Sequence, residues 1–177
     1  MKPISLTISV PSFTIACEAT PAVEAASRPA ADSPELEILD QYAGLWIERV
    51  AGKPEVSRSD VGEWILDGRF MRQTWTFEAH DDVPKASGMT FMTYDREKKA
   101  YRSWAFTAAG SVIENEGTWD SKHRAMTWWH SLPDTKERVF TKVMFSDGLI
   151  QDWSITKTNA AGEIVREVTG RSIRQMD

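Results

Sequence analysis

WILDGRFMRQTWTFEA, residues 64–79, is the stretch whose reading decides the fold. Asp67-Gly68 sits between two apolar runs and is a strong short-range hairpin signal, because a two-residue turn of this kind needs positive φ at both positions. The return strand alternates, with Met71, Gln73, Trp75 and Phe77 on one face and Arg72, Thr74 and Thr76 on the other. A strand with so much aromatic surface on one side packs that side against a core or lines a cavity with it. The glutamine among the aromatics keeps both readings open.

The same pattern repeats outward in both directions. Strands are expected at 45–50, 60–66, 69–79, 87–95 and 100–107, and again at 112–119, 124–131, 136–145, 149–158 and 163–173. Polar or glycine-containing turns separate them, including a second Asp-Gly pair at Asp147-Gly148. One short helix is expected over 35–43, with Leu36 and Leu39 at helical spacing, Ser33 as cap, Pro34 as its first residue and Gly44 as its stop. About ten strands joined by short hairpin loops make an antiparallel meander. Closing it into an up-and-down barrel is the simplest way to leave no free edge. A sandwich is the competing arrangement, but it calls for longer crossing loops.

The alternation also sorts residues by face. Trp104 and Phe106 share a phase with Arg102. Asn115 shares one with Ile113, Gly117 and Trp119; Met126, Trp128 and His130 form a third set; Gln151, Trp153 and Ile155 form a fourth. Amides interrupt aromatic faces, which is how ligand cavities are commonly lined: apolar walls with a few placed polar groups. The residues expected to contact a ligand are therefore Gln73, Trp75, Arg102, Trp104, Asn115, Trp128, His130 and Trp153. The alternative is a filled barrel whose amides bond to one another or to buried water.

Composition excludes several classes. The 177 residues carry a net charge of −5, of which residues 1–37 hold −3, so no basic stripe exists for nucleic acid. No 20-residue apolar run spans a bilayer as a helix. Eight tryptophans supply a large apolar area for a core. The lone Cys17 excludes an internal disulfide framework. It follows a modestly apolar stretch, Ile4 to Ala16. Residues 1–17 thus read either as an export signal, with Thr14-Ile15-Ala16-Cys17 as a degraded lipidation box, or as a plain leader or accessory strand. Residues 18–34 read as an Ala/Pro-rich flexible spacer and 35–177 as the barrel domain. A periplasmic or secreted location and a cytoplasmic one stand equal on this reading, and the oligomeric state is open.

No catalytic motif emerges. His80 and His123 fall in loops, and only His130 falls on a strand. No histidine pair or cysteine has metal-ligand spacing, so no metal and no cofactor is expected. Ser154-Ile155-Thr156-Lys157 matches Ser-x-x-Lys, but on a strand residues three apart face opposite ways. Glu114 and Glu116 read as a solvated outer face.

Tyr42-Ala43-Gly44-Leu45-Trp46, leading from a helix into a strand, resembles the Gly-x-Trp start of lipocalin-like barrels. The blocks EWILDGRFMRQTW, MTYDREKKAYRSW and ENEGTWDSKHRAMTW, in that order, resemble the uncharacterised bacterial family known as domain of unknown function 1579, over about residues 36–174. The resemblance implies a calycin-like β-barrel, often behind an export leader, and implies no catalytic residues. The expectation is a non-catalytic barrel that binds an apolar or amphipathic small molecule. A filled interaction module of the cell envelope is the alternative. A haem-binding barrel with His130 as axial ligand is a weaker one, suggested by similar barrels.

Overall fold

A computed structural model describes residues 33–79 and 84–176, with the side chains of 54–57 outside that description. The leader, most of the spacer, Cys17 and His80 lie outside the described residues. Ten strands follow one short helical segment: β1 (Gly44–Val50), β2 (Lys53–Ile65), β3 (Phe70–Phe77), β4 (Ala86–Asp95), β5 (Ala100–Thr107), β6 (Val112–Asp120), β7 (Ala125–Ser131), β8 (Arg138–Ser146), β9 (Ile150–Thr158) and β10 (Ile164–Arg174). Each pairs antiparallel with its neighbours in sequence, and β1 pairs with β10, so the sheet closes on itself. Trp46 faces Arg174 across that seam and Val50 faces Gly170. The expected all-β up-and-down barrel of ten strands is the observed fold.

The first hairpin turns at Asp67-Gly68 as expected, but Ile65 pairs with Phe70, so its connection is four residues rather than two, and Leu66 also takes positive φ, 51°. Asp67 and Gly68 both take left-handed φ, 54° and 71°, and the Arg69 amide closes the turn on Leu66 O at 3.1 Å. The second differs too: Ser146 pairs with Ile150, so the connection is three residues rather than two. The other departure is β2, which begins at Lys53 instead of residue 60. Pro54 and the polar run after it read as loop, but pairing with β1 extends the strand across a bulge at Arg49/Val50.

The helix is α1 (Pro34–Leu39), continued by a 3-10 turn over Asp40–Tyr42. Ser33 does not cap the backbone; its hydroxyl donates to Glu35 Oε2 at 2.6 Å. Leu36, Leu39 and Tyr42 point into one end of the barrel. There they pack with Trp64, Met71, Met92, Tyr101, Met126, Trp128 and Phe145. The segment is a plug, and wall side chains from six strands donate hydrogen bonds to it. Trp46 Nε1 reaches Ala43 O (3.1 Å), Trp64 Nε1 reaches Asp40 Oδ1 (2.5 Å) and Tyr101 Oη reaches Glu35 O (3.0 Å). Trp128 Nε1 reaches Tyr42 Oη (3.0 Å), Gln151 Nε2 reaches Gln41 O (3.1 Å) and Arg174 Nε reaches Ala43 O (3.0 Å). Four of them end on backbone carbonyls, of which Gln41 O and Ala43 O lie past the end of the helix where no helical partner exists, and two end on the side chains of Asp40 and Tyr42. Gly62 makes the fit possible: a Cβ there would lie 1.9 Å from Tyr42 O.

Candidate functional site

The plugged end is filled; beyond it the barrel is hollow. Along β9 the inward residues Gln151, Trp153 and Ile155 are 6%, 7% and 39% exposed, so access grows away from the helix. The space is a cavity of about 190 Å³. Its aromatic side is Tyr42, Trp46, Trp128 and Trp153. Its polar side includes Gln73, Thr90, Ser103, Asn115, Thr141 and Ser172, with the charged residues Glu48, Arg58 and Asp60.

Three inward indoles owe their positions to glycines on the adjacent strand. Trp75 is paired with Gly88, Trp128 with Gly117 and Trp153 with Gly170. A Cβ on those glycines would come within 2.4, 2.5 and 2.1 Å of the respective rings. Each indole therefore lies flat over backbone, a close approach that only glycine allows.

The charges form one group. Arg58 Nε and Nη2 both donate to Asp60 Oδ1, at 3.1 and 2.5 Å, and the guanidinium stacks 4.9 Å from the Trp75 ring centroid. The Asp60 side chain is 6% exposed and that of Arg58 30%. Burial raises Asp60, with Arg58 opposing; burial also works against the Arg58 charge, but Asp60 and Glu48 outweigh it and hold its pKa up. Glu48 lies directly across from Arg58 in the β1–β2 register and from Ser172 in the β1–β10 register. Burial pushes its carboxyl up to about 7, only partly countered by Arg58 and reinforced by Asp60. Among the described residues nothing hydrogen-bonds the Glu48 carboxylate.

The residues expected from sequence divide. Gln73, Asn115, Trp128 and Trp153 line the cavity. Trp75 shares their inward face but is occupied by Arg58 and Gly88. His130 also faces in, yet its Nδ1 is tied to Asn115 Oδ1 at 2.8 Å, and Asn115 Nδ2 donates to Ser103 Oγ at 3.0 Å. Burial lowers the His130 pKa. Arg102 and Trp104 are corrected: β5 turns Tyr101, Ser103 and Ala105 inward, which puts both on the outer surface. Arg102 pairs there with Glu114 and lies over the Trp104 ring at 5.9 Å. Beyond the buried Tyr101, the inward side chains of β5 are the small Ser103 and Ala105, which border the cavity. Arg72 is outside too, paired with Glu63.

Glu48, Arg58 and Asp60 escaped the sequence reading. The signal was present: Glu48 is in phase with Trp46, and Arg58 and Asp60 with Gly62 and Trp64. Starting β2 at 60 hid Arg58; Glu48 and Asp60 lay inside the expected strands at 45–50 and 60–66 but were not set among the inward residues.

A closed ten-stranded antiparallel barrel, plugged at one end by its own N-terminal helix and hollow at the other, is the class of protein these features define. The chain belongs to the family described as protein of unknown function DUF1579, whose model matches residues 33–147. Among solved structures it is similar to Rv2717c from M. tuberculosis, at 17% identity and TM-score 0.59, covering 81% of this chain and 99% of that one; the likeness is one of fold. A protein of unknown function from the DUF3598 family of Nostoc punctiforme matches at 8% identity over 81% of this chain and all of that one, but its TM-score of 0.26 carries no argument. No curated protein matches the chain. No helix among the described residues is long and apolar enough to cross a membrane.

Proposed function

We propose that the barrel binds a compact amphipathic small molecule in its open half, without catalysing a reaction on it. One observation carries this: the interior is packed solid at the plug but leaves about 190 Å³ bounded by indoles on one side and hydroxyls, amides and charges on the other. A cavity of roughly 150 Å³ accommodates benzene, so the guest is small. Pockets for drug-sized ligands begin near ~300 Å³. A fatty acid, a retinoid or a haem would therefore have to remodel the walls. The tie of His130 to Asn115 also counts against an axial-ligand role. The calycin-like resemblance agrees with a binding role and adds no ligand. Gln73, Asn115, Trp128 and Trp153 are the contacts retained from the sequence, joined by Glu48, Arg58 and Asp60.

The test is tryptophan fluorescence of the full chain titrated with small amphiphiles such as short-chain alcohols, amines and acids. A saturable change that Trp153→Phe alters supports the reading. A flat response to every compound argues against it.

A second reading, an interaction module, has its own observation. Met89, Phe91, Trp104, Phe106 and Val112 are cross-strand neighbours on the outer face of β4–β6, with Phe91 and Phe106 in edge contact at 5.9 Å. Three of them, Met89, Phe106 and Val112, are exposed. Light scattering distinguishes it: self-association of the wild type lost in Phe106→Glu favours this reading, with a second copy of the chain as the partner.

A further inference from the structure

We propose that the guest is a small organic cation, held by the Glu48 carboxylate as counter-ion against the indole face of Trp128. The inference rests on the binding function proposed above and names its ligand class.

Charge is the first argument. Among the described residues that line the cavity, three are charged, and two of these, Arg58 and Asp60, neutralise each other through two hydrogen bonds. Glu48 remains, and it faces the cavity opposite Arg58 with no hydrogen bond of its own among the described residues. The ionised site therefore carries one net negative charge. An anion entering it would meet two carboxylates and a guanidinium already engaged. A neutral guest would displace water from the part-buried Glu48 carboxylate without offering it a charge in return, which is costly. A monocation completes the balance.

The walls are the second argument. The Trp128 Nε1–H is committed to Tyr42, so its indole offers the cavity ring surface. Ring faces attract cations. This barrel already stacks two of its own cations on inward indoles, Arg58 over Trp75 at 4.9 Å and Arg174 over Trp46 at 5.3 Å. Size is the third: the volume suits a branched ammonium little larger than benzene.

The groups facing Glu48 bear on its titration. They are Arg58 and Asp60 from β2 and the uncharged Ser172 from β10; the Tyr42 hydroxyl of the plug lines the same cavity and is bonded to Trp128. Arg58 stays charged, and burial raises the Tyr42 phenol well above its ordinary value. Asp60 is the other acid in reach, with Arg58 hydrogen-bonded to it.

The experiment is isothermal titration of the full chain with choline, with its uncharged isostere 3,3-dimethylbutanol, and with butyrate. The expected result at pH 8 is choline bound about tenfold or more tightly than the alcohol, equivalent to about 1.4 kcal/mol, with butyrate weakest. Choline affinity should fall about tenfold from pH 8 to pH 6, as a carboxyl with pKa about 7 takes up its proton. Glu48→Gln should abolish both the preference and the pH dependence, bringing choline to the affinity that the same variant shows for the alcohol. Alcohol or butyrate bound as tightly as choline, or choline binding flat with pH in the wild type, would overturn the cation assignment and leave the cavity as a binding site. No heat or competition from any of the three would overturn both.

Discussion

Glu48 concentrates the physics of the site in one side chain. Its carboxyl has an ordinary value of 4.5 in the unfolded chain and about 7 in the barrel, because burial outweighs the help of Arg58. A carboxyl raised by folding holds its proton longer in the native state. Stability is then fully present below the unfolded value and is lost as pH climbs towards the folded one. The loss amounts to at most about 3 kcal/mol, at 1.36 kcal/mol per unit. Glu48→Gln should match the wild type at pH 4.5 and melt several degrees higher at pH 8, measured by thermal unfolding across that range. Curves that stay parallel at all pH values would show that water reaches Glu48 freely. At this scale the sequence was half legible. Gln73, Asn115, Trp128 and Trp153 line the cavity, and their inward face was legible because each interrupts or anchors an alternating pattern. Arg102 and Trp104 misled because the larger apolar side chains of β5 face out, while its small residues Ser103 and Ala105 face the cavity.

Among the elements, the plug matters most. The sequence showed a helix with Leu36 and Leu39 on one face, and nothing in it said where that face goes. The destination is set by donors far along the chain, Tyr101, Trp128, Gln151 and Arg174, which no local pattern connects to residues 35–43. Two of those donors, Trp128 and Gln151, read from sequence as cavity groups; part of their polarity serves the plug. Tyr42→Phe should leave the Trp128 Nε1–H unpaired and cost about 1–3 kcal/mol in chemical denaturation, with no change in the far-ultraviolet signature of the sheet. Gly62→Val should do more, since its side chain would occupy the place of the Tyr42 carbonyl. The strands themselves were well legible, β5 to the residue, because alternation and turn chemistry are local.

For the whole molecule, closure is the governing fact. Each strand has a partner on both sides, and the last supplies one of them for the first. Removing β10 by truncation after residue 163 should therefore do more than delete one strand. It would open the edges of β1 and β9 and take away Arg174 from Ala43 O and Ser172 from the cavity. The truncated chain should lose its cooperative urea transition altogether; a sharp transition at a lower midpoint would mean that nine strands can hold the interior alone.

The six bonds that seat the plug link residues 35–43 to partners as far off as Arg174, 131 positions away. The contacts that finish the barrel are thus the most distant in the chain, and topologies of this kind fold slowly because loop closure precedes any reward. A chain emerging from the ribosome with β1 to β5 complete has a helix with no socket and two unpaired strand edges. It stays in that state until its C-terminus is free, and during that interval, rather than after folding, it is most open to edge-to-edge aggregation.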